Sequence, residues 1–168
     1  MAATFTLISS VTVGGGGAAN IEFTSIPATY TDLLMKISSR GTGTNALGGY
    51  YYDVTFNNTS ANRTGKYLQK SDSVVDTGVY TLWGLSSPSD FTASTFSNGE
   101  LYIPNYASSN YKSAQLDSAN ENNSSTQRIS LSAGLWSDTA AITSIKLVQG
   151  NGNFAQYSTA YLYGISSS

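Results

Sequence analysis

Gln127-Arg128-Ile129-Ser130-Leu131-Ser132-Ala133-Gly134-Leu135-Trp136 alternates residue by residue and places Ile129, Leu131, Ala133 and Leu135 on one face. Strict period-2 alternation marks a strand, because successive side chains of an extended chain point to opposite sides. The same reading extends outward. In Tyr50 to Asn57, Tyr50, Tyr52, Val54 and Phe56 stand against Tyr51, Asp53, Thr55 and Asn57. Leu33, Met35 and Ile37 alternate with Leu34, Lys36 and Ser38, and Tyr157 to Ile165 carries Tyr157, Thr159, Tyr161, Tyr163 and Ile165 on one side. Near the start, Thr4 to Val13 places Phe5, Leu7, Val11 and Val13 on one face and ends at the glycine run Gly14 to Gly17. Ile21 and Phe23 are expected to point inward from a short strand that Pro27 breaks, since proline cannot donate to a ladder.

The remaining strand candidates are Gly65 to Lys70, Val79 to Trp83, Lys112 to Leu116 and Ala141 to Val148. Ser71 to Thr77 reads as a polar connection, Arg40 to Gly49 as a glycine-rich loop, Asn120 to Thr126 as a polar loop and Gly150 to Asn153 as a tight turn. Asn98-Gly99, between Phe91–Phe96 and Glu100–Ile103, predicts a two-residue hairpin turn. Helical periodicity is nearly absent. About ten to twelve short strands at roughly 8–14-residue spacing predict an all-β fold, an antiparallel β-sandwich of jelly-roll form, in one domain spanning 1–168.

Composition narrows the chemistry. The 168 residues include no Cys and no His. Ser-His-Asp and Cys-His nucleophile systems cannot be built, nor can imidazole or thiolate zinc sites or disulfides. Ser, Thr, Asn and Gly supply 75 positions, close to half the chain, while charged residues make up only 11%. Eight cations against ten carboxylates leave a net charge of −2 and no basic stripe of the kind that phosphate neutralisation demands, so no nucleic-acid partner is expected. The one local basic cluster, Arg63, Lys66 and Lys70, reads as a solvated face. No run approaches the roughly 18 apolar residues of a membrane helix. No basic segment followed by an apolar one marks a secretory signal, so the N-x-S/T patterns at Asn57, Asn58, Asn62, Asn122 and Asn123 are expected to go unglycosylated. A nearly neutral, hydroxyl-rich surface carries little self-repulsion and suits a large permanent assembly.

No constellation of residues names a reaction. A glycosidase needs two carboxylates across a cleft, and the spacing of Glu22, Asp32, Asp53, Asp72, Asp76, Asp90, Glu100, Asp117, Glu121 and Asp138 singles out no pair. Asp72 and Asp76 match no calcium loop. Gly14 to Gly17 lacks the Lys-Ser/Thr and the helix of a phosphate loop. No catalytic residue, cofactor or metal is therefore expected. Tyrosine is in excess, at 12 residues, and Tyr50-Tyr51-Tyr52 sends one ring to one sheet face and two to the other. Such rings serve a half-buried strand, a protein contact or a stacking platform for sugars. Trp83 and Trp136 read as core or interface anchors. Tyr51, Tyr106 and Tyr111, placed on less apolar faces or in loops, are the candidate partner-contact residues.

Two stretches resemble a known group. They are Phe5 to Val13 with Ile21 to Leu33, and Trp136 to Ile145 with Phe154 and Ser158 to Ile165. A fainter echo lies in Ile103-Pro104-Asn105-Tyr106. Together they resemble small virion structural proteins of tailed bacteriophages, notably phages of cyanobacteria and other aquatic bacteria. The likeness covers the outer thirds of the chain and thins in the centre. It implies a β-sandwich, homotrimeric, attached to a particle, and it carries no catalytic residues. Two roles follow as expectations. The first is a capsid decoration, or cement, protein that is assembled in host cytoplasm, binds the major capsid protein on the outside of the shell and stabilises it. The alternative is a tail- or fibre-associated module that binds host surface glycans through its Tyr-rich strands.

Overall fold

The computed structural model describes residues 4–47, 50–71, 74–123 and 127–166. Among them run twelve strands: β1 (Phe5–Thr12), β2 (Asn20–Phe23), β3 (Asp32–Ser39), β4 (Tyr51–Phe56), β5 (Arg63–Ser71), β6 (Val74–Tyr80), β7 (Trp83–Leu85), β8 (Ser97–Ile103), β9 (Lys112–Glu121), β10 (Gln127–Trp136), β11 (Ile145–Gln149) and β12 (Thr159–Ile165). The only helical element among the described residues is a 3-10 turn, Asn45–Leu47. All strand pairs are antiparallel, in two sheets ordered β1-β12-β3-β8-β9-β10-β5-β6 and β2-β11-β4-β7. The expected two-layer antiparallel β-sandwich is what the chain forms. Its strands divide eight and four between the layers.

The core lies between the layers. Leu33, Met35 and Ile37 of β3, Leu101 and Ile103 of β8, Leu116 of β9 and Leu162 of β12 meet Ile21, Phe23, Tyr52, Val54, Phe56, Ile145 and Leu147 of the small sheet. These are the alternating apolar residues of the sequence, and Trp83 and Trp136 are buried as expected.

The faces of two strands are decided by more than alternation. In β10, Ser130 and Ser132 point into the protein while Ile129, Leu131 and Leu135 point out. Trp136 shares the inward parity, and this largest side chain is only 1% exposed. The small residues let β7 approach closely. Ser132 Oγ donates to the Trp83 carbonyl at 3.1 Å, and Leu82 packs directly over Gly134. Larger groups there would hold the layers apart. In β1, the pairing with β12 shifts between Leu7 and Ser9. This bulge reverses the parity, so Phe5 and Leu7 lie exposed while Val11 and Val13 pack on the core. The single shared face read from the sequence is thereby split in two.

The Asn98-Gly99 hairpin does not form. Both residues sit inside β8, which pairs with β3 on one side and β9 on the other. A side chain at Gly99 would meet the Tyr52 hydroxyl at 2.6 Å, so the glycine serves close layer packing rather than a turn. Residues 91–96 form a loop whose carbonyls are claimed by Arg40. Its guanidinium donates to the backbone oxygens of Ser89, Phe91, Thr92 and Thr95 at 2.9–3.1 Å. β6 begins at Val74, within the segment read as a polar connection, and β9 runs on to Glu121. β11 is confined to Ile145–Gln149. Part of the loop read over Arg40 to Gly49, Gly48 and Gly49, lies outside the described residues, as does the end of the loop read over Asn120 to Thr126.

Asn57 ties the end of β4 to the segment before β11. Its backbone adopts a positive φ of 49°, which Asn tolerates better than most residues. Its Oδ1 accepts from the amides of Thr143 (2.8 Å) and Ser144 (3.1 Å), and its Nδ2 donates to the Ala141 carbonyl (2.8 Å). Asn57→Ala is expected to cost about 2–4 kcal/mol in urea unfolding, from lost hydrogen bonds and an unfavourable φ. Asn57→Gly should recover only the backbone part.

Candidate functional site

Two surface features stand out, and both are built by β5 and β6 at one edge of the large sheet. On the outer face, strand register sets Leu131 beside Leu68, and Lys66 and Lys70 beside Val79 and Val75. Ile129, Leu131, Leu135, Leu68, Val75 and Val79 are all exposed, Val79 to 75%. Together they form an exposed apolar set across three strands, interleaved with Lys66, Lys70 and Thr77, rather than singly scattered residues. Further along the same face, β9 is polar, with Gln115, Asp117 and Glu121 exposed.

On the inner face, the β5–β6 hairpin leans over the small sheet and leaves a cleft lined by Tyr50, Tyr51, Tyr67, Gln69, Asp76, Tyr80 and Trp83, with a volume of about 240 Å³. Alternation explains this face. Tyr67 and Gln69 share one parity on β5, and Asp76 and Tyr80 lie opposite Gln69 and Gly65 on β6. Trp83 forms the floor. Tyr67 meets it edge-on at 5.3 Å between ring centroids, and Tyr51 does so at 6.1 Å. Tyr51 also meets Tyr80 at 6.3 Å and Tyr50 at 5.3 Å. Tyr67 lies against Gly78, where a Cβ would meet the ring at 2.8 Å, so only glycine admits this placement.

The polar groups of the cleft are arranged around these rings. The Tyr67 hydroxyl donates to Asp76 Oδ2 at 2.8 Å, and this bond raises the Tyr67 pKa above that of an ordinary phenol. A hydrogen bond with Tyr80, with burial adding to it, pushes the Tyr51 phenol up to about 12. Both hydroxyl protons are thus held by partners inside the cleft. The Arg128 guanidinium stacks 4.5 Å from the Tyr50 ring centre and donates to Asn45 Oδ1 at 2.7 Å.

The residues singled out in the sequence separate. Tyr51 lies in the cleft, half-buried. Tyr111 is 61% exposed just ahead of β9. Tyr106 is fully buried, with its hydroxyl donating to the Pro27 carbonyl and accepting from the Tyr30 amide. It is a core residue and presents nothing to a partner, which corrects the reading of it as an exposed loop ring. The basic cluster also divides. Arg63 turns inward and pairs with Asp53 at 2.9 Å, while Lys66 and Lys70 stay on the outer face.

Most of the carboxylates have local structural partners. Asp32 accepts from the Tyr102 hydroxyl and the Asn105 amide, Asp138 from the Ala140 amide and Asp90 from the Asn45 amide. Glu22 pairs with Lys146, and Glu100 with Lys36. Among the described residues no three acidic side chains gather as a metal site would require; Asp72 lies outside them. No helix among the described residues is long and apolar enough to cross a membrane. Compared with known proteins, the chain matches no family model and no curated sequence.

Proposed function

We propose that this chain is a structural virion protein, a capsid decoration or cement protein that binds the outside of a major capsid shell and stabilises it. The observation that carries the reading is the exposed apolar field over β10, β5 and β6. A chain with 11% charged residues leaves that field open on one flank of a rigid sandwich. Burial of such a field is the main favourable term in association. The mechanism is mechanical. Homotrimers seated over junctions of the shell would grip several capsid subunits at once, and multivalent attachment makes release slow without any single strong contact. The resemblance of the outer thirds to phage virion proteins supports the same reading. The rival placement, on a tail or fibre, predicts few copies per particle.

Particles stripped of this protein are expected to lose resistance to heat and pressure and to regain it when the purified protein is added back. Unchanged particle stability, or a copy number far below that of the capsid subunit in images of intact particles, would overturn the proposal.

A further inference from the structure

We propose that the cleft between the β5–β6 hairpin and β4–β7 is a binding site for a neutral β-linked hexopyranose, with Tyr80 as the stacking ring and Asp76 and Gln69 as the hydroxyl-reading groups. This inference goes beyond the attachment reading and does not depend on it, because the cleft lies on the opposite side of the hairpin from the apolar field.

The argument starts from the shape of the cleft. Small-molecule sites are concave and mostly apolar, with a few convergent polar groups. Here, among the described residues, five aromatic rings line the cavity together with one carboxylate and one amide. At about 240 Å³ the cleft falls below the roughly 300–1,000 Å³ that holds drug-sized ligands, which suits a single ring.

A β-linked pyranose offers what these walls ask for. Its axial C–H groups form an apolar face that can lie on an aromatic ring, and its equatorial hydroxyls form a polar rim. Tyr80 is the ring available for stacking, since it is half exposed while Trp83 beneath is 5% exposed and already covered. Asp76 Oδ2 is occupied by the Tyr67 hydroxyl, which leaves Oδ1 to accept from a sugar hydroxyl. The Gln69 amide, directly across the strand pair from Asp76, can donate and accept at the adjacent position. Charge selects further: among the described lining residues the one charged group is the Asp76 carboxylate, and the nearby Arg128 guanidinium is engaged by the Tyr50 ring and Asn45, which favours a neutral sugar over phosphorylated, sulfated or uronic ones.

The test is saturation-transfer NMR on the full chain with cellotetraose, β-1,4-galactotetraose and β-1,4-mannotetraose, alongside a proline-rich decapeptide as the competing kind of ligand. At least one tetrasaccharide is expected to bind with a dissociation constant on the order of 1 mM, quenching or shifting Trp83 fluorescence as it does. Tyr80→Ala should weaken binding about 10-fold, the scale of one stacking contact, and Asp76→Asn should weaken it without altering the fold. Val79→Ser, on the other face of the same strand, should bind as the parent does. Absence of transfer to all three tetrasaccharides, binding of the decapeptide alone, or binding by Tyr80→Ala and Asp76→Asn as tight as the parent's would overturn the assignment.

Discussion

Leu68→Asp is expected to abolish attachment to a capsid shell, if the chain decorates one as proposed. Leu68 stands at the centre of the outer apolar field, flanked across the ladder by Leu131 and Thr77. A carboxylate there would have to be desolvated in any interface that covers the field, and loss of a central apolar anchor typically costs at least about 2 kcal/mol, or roughly 30-fold in affinity. The site isolates that effect. Leu68 is 49% exposed, so the folded chain itself gives up little, and the new charge falls between Lys66 and Lys70 on the same face. Leu131 is a poorer choice because Asp117 lies directly opposite it on β9, where a second carboxylate would strain the sheet. Co-sedimentation with stripped particles should show the loss, while stability in urea should stay within about 0.5 kcal/mol of the parent. Asp117→Ala, on the polar part of the same face, should attach normally. Full attachment by Leu68→Asp would remove the field from consideration as the interface.

That the field faces solvent could not be read from alternation alone. Gln127 to Trp136 announces a strand through its period, but the period is silent about which parity is buried. One parity holds Ile129, Leu131 and Leu135, and the other holds two serines, a glycine and Trp136. Summed hydrophobicity favours burying the first. The chain buries the second, because one tryptophan fills more of the interlayer space and the serines make room for β7. The β1 bulge is hidden for a related reason, as one extra residue reverses parity within a run that looks regular. Asn98-Gly99 misleads through chemistry rather than period. The dipeptide fits a hairpin turn, yet here the missing Cβ makes space for Tyr52, a contact between layers far apart in sequence. The class of fold and most strands were legible because they depend on neighbours along the chain. The cleft was only half legible. The tyrosine excess and Tyr50-Tyr51-Tyr52 pointed to it, but Asp76, Gln69 and Tyr80 join it through the β5–β6 register, which no local pattern displays. Tyr106 shows the same limit, since its loop position suggested exposure and only tertiary packing seals it.

Trp136→Ala is the substitution expected to cost the fold most. The indole packs against Phe56 at 5.8 Å between ring centroids and lies under the Lys112 ammonium at 5.6 Å. Lys112 is itself 2% exposed, and its Nζ donates to the carbonyls of Asp138 (3.3 Å) and Ala140 (2.5 Å). Truncation leaves a cavity beside a buried cation and removes the ring face that the cation sits on. Large aromatic-to-alanine changes in cores cost about 3–5 kcal/mol. Against a total stability of about 5–15 kcal/mol, that is a large share, and it corresponds to a fall in Tm of roughly 6–20 °C. Trp136→Phe should lose less than half as much. It keeps the Phe56 contact and removes an indole N–H that has no hydrogen-bond partner among the described residues. Urea and thermal unfolding of both variants would check the order, and equal losses would mean that the ring does not support the core in the way its packing suggests. Trp136 and the apolar field occupy opposite faces of the large sheet. At a temperature where Trp136→Ala is still folded it should therefore attach to particles as well as the parent does, while Leu68→Asp, fully stable, should not.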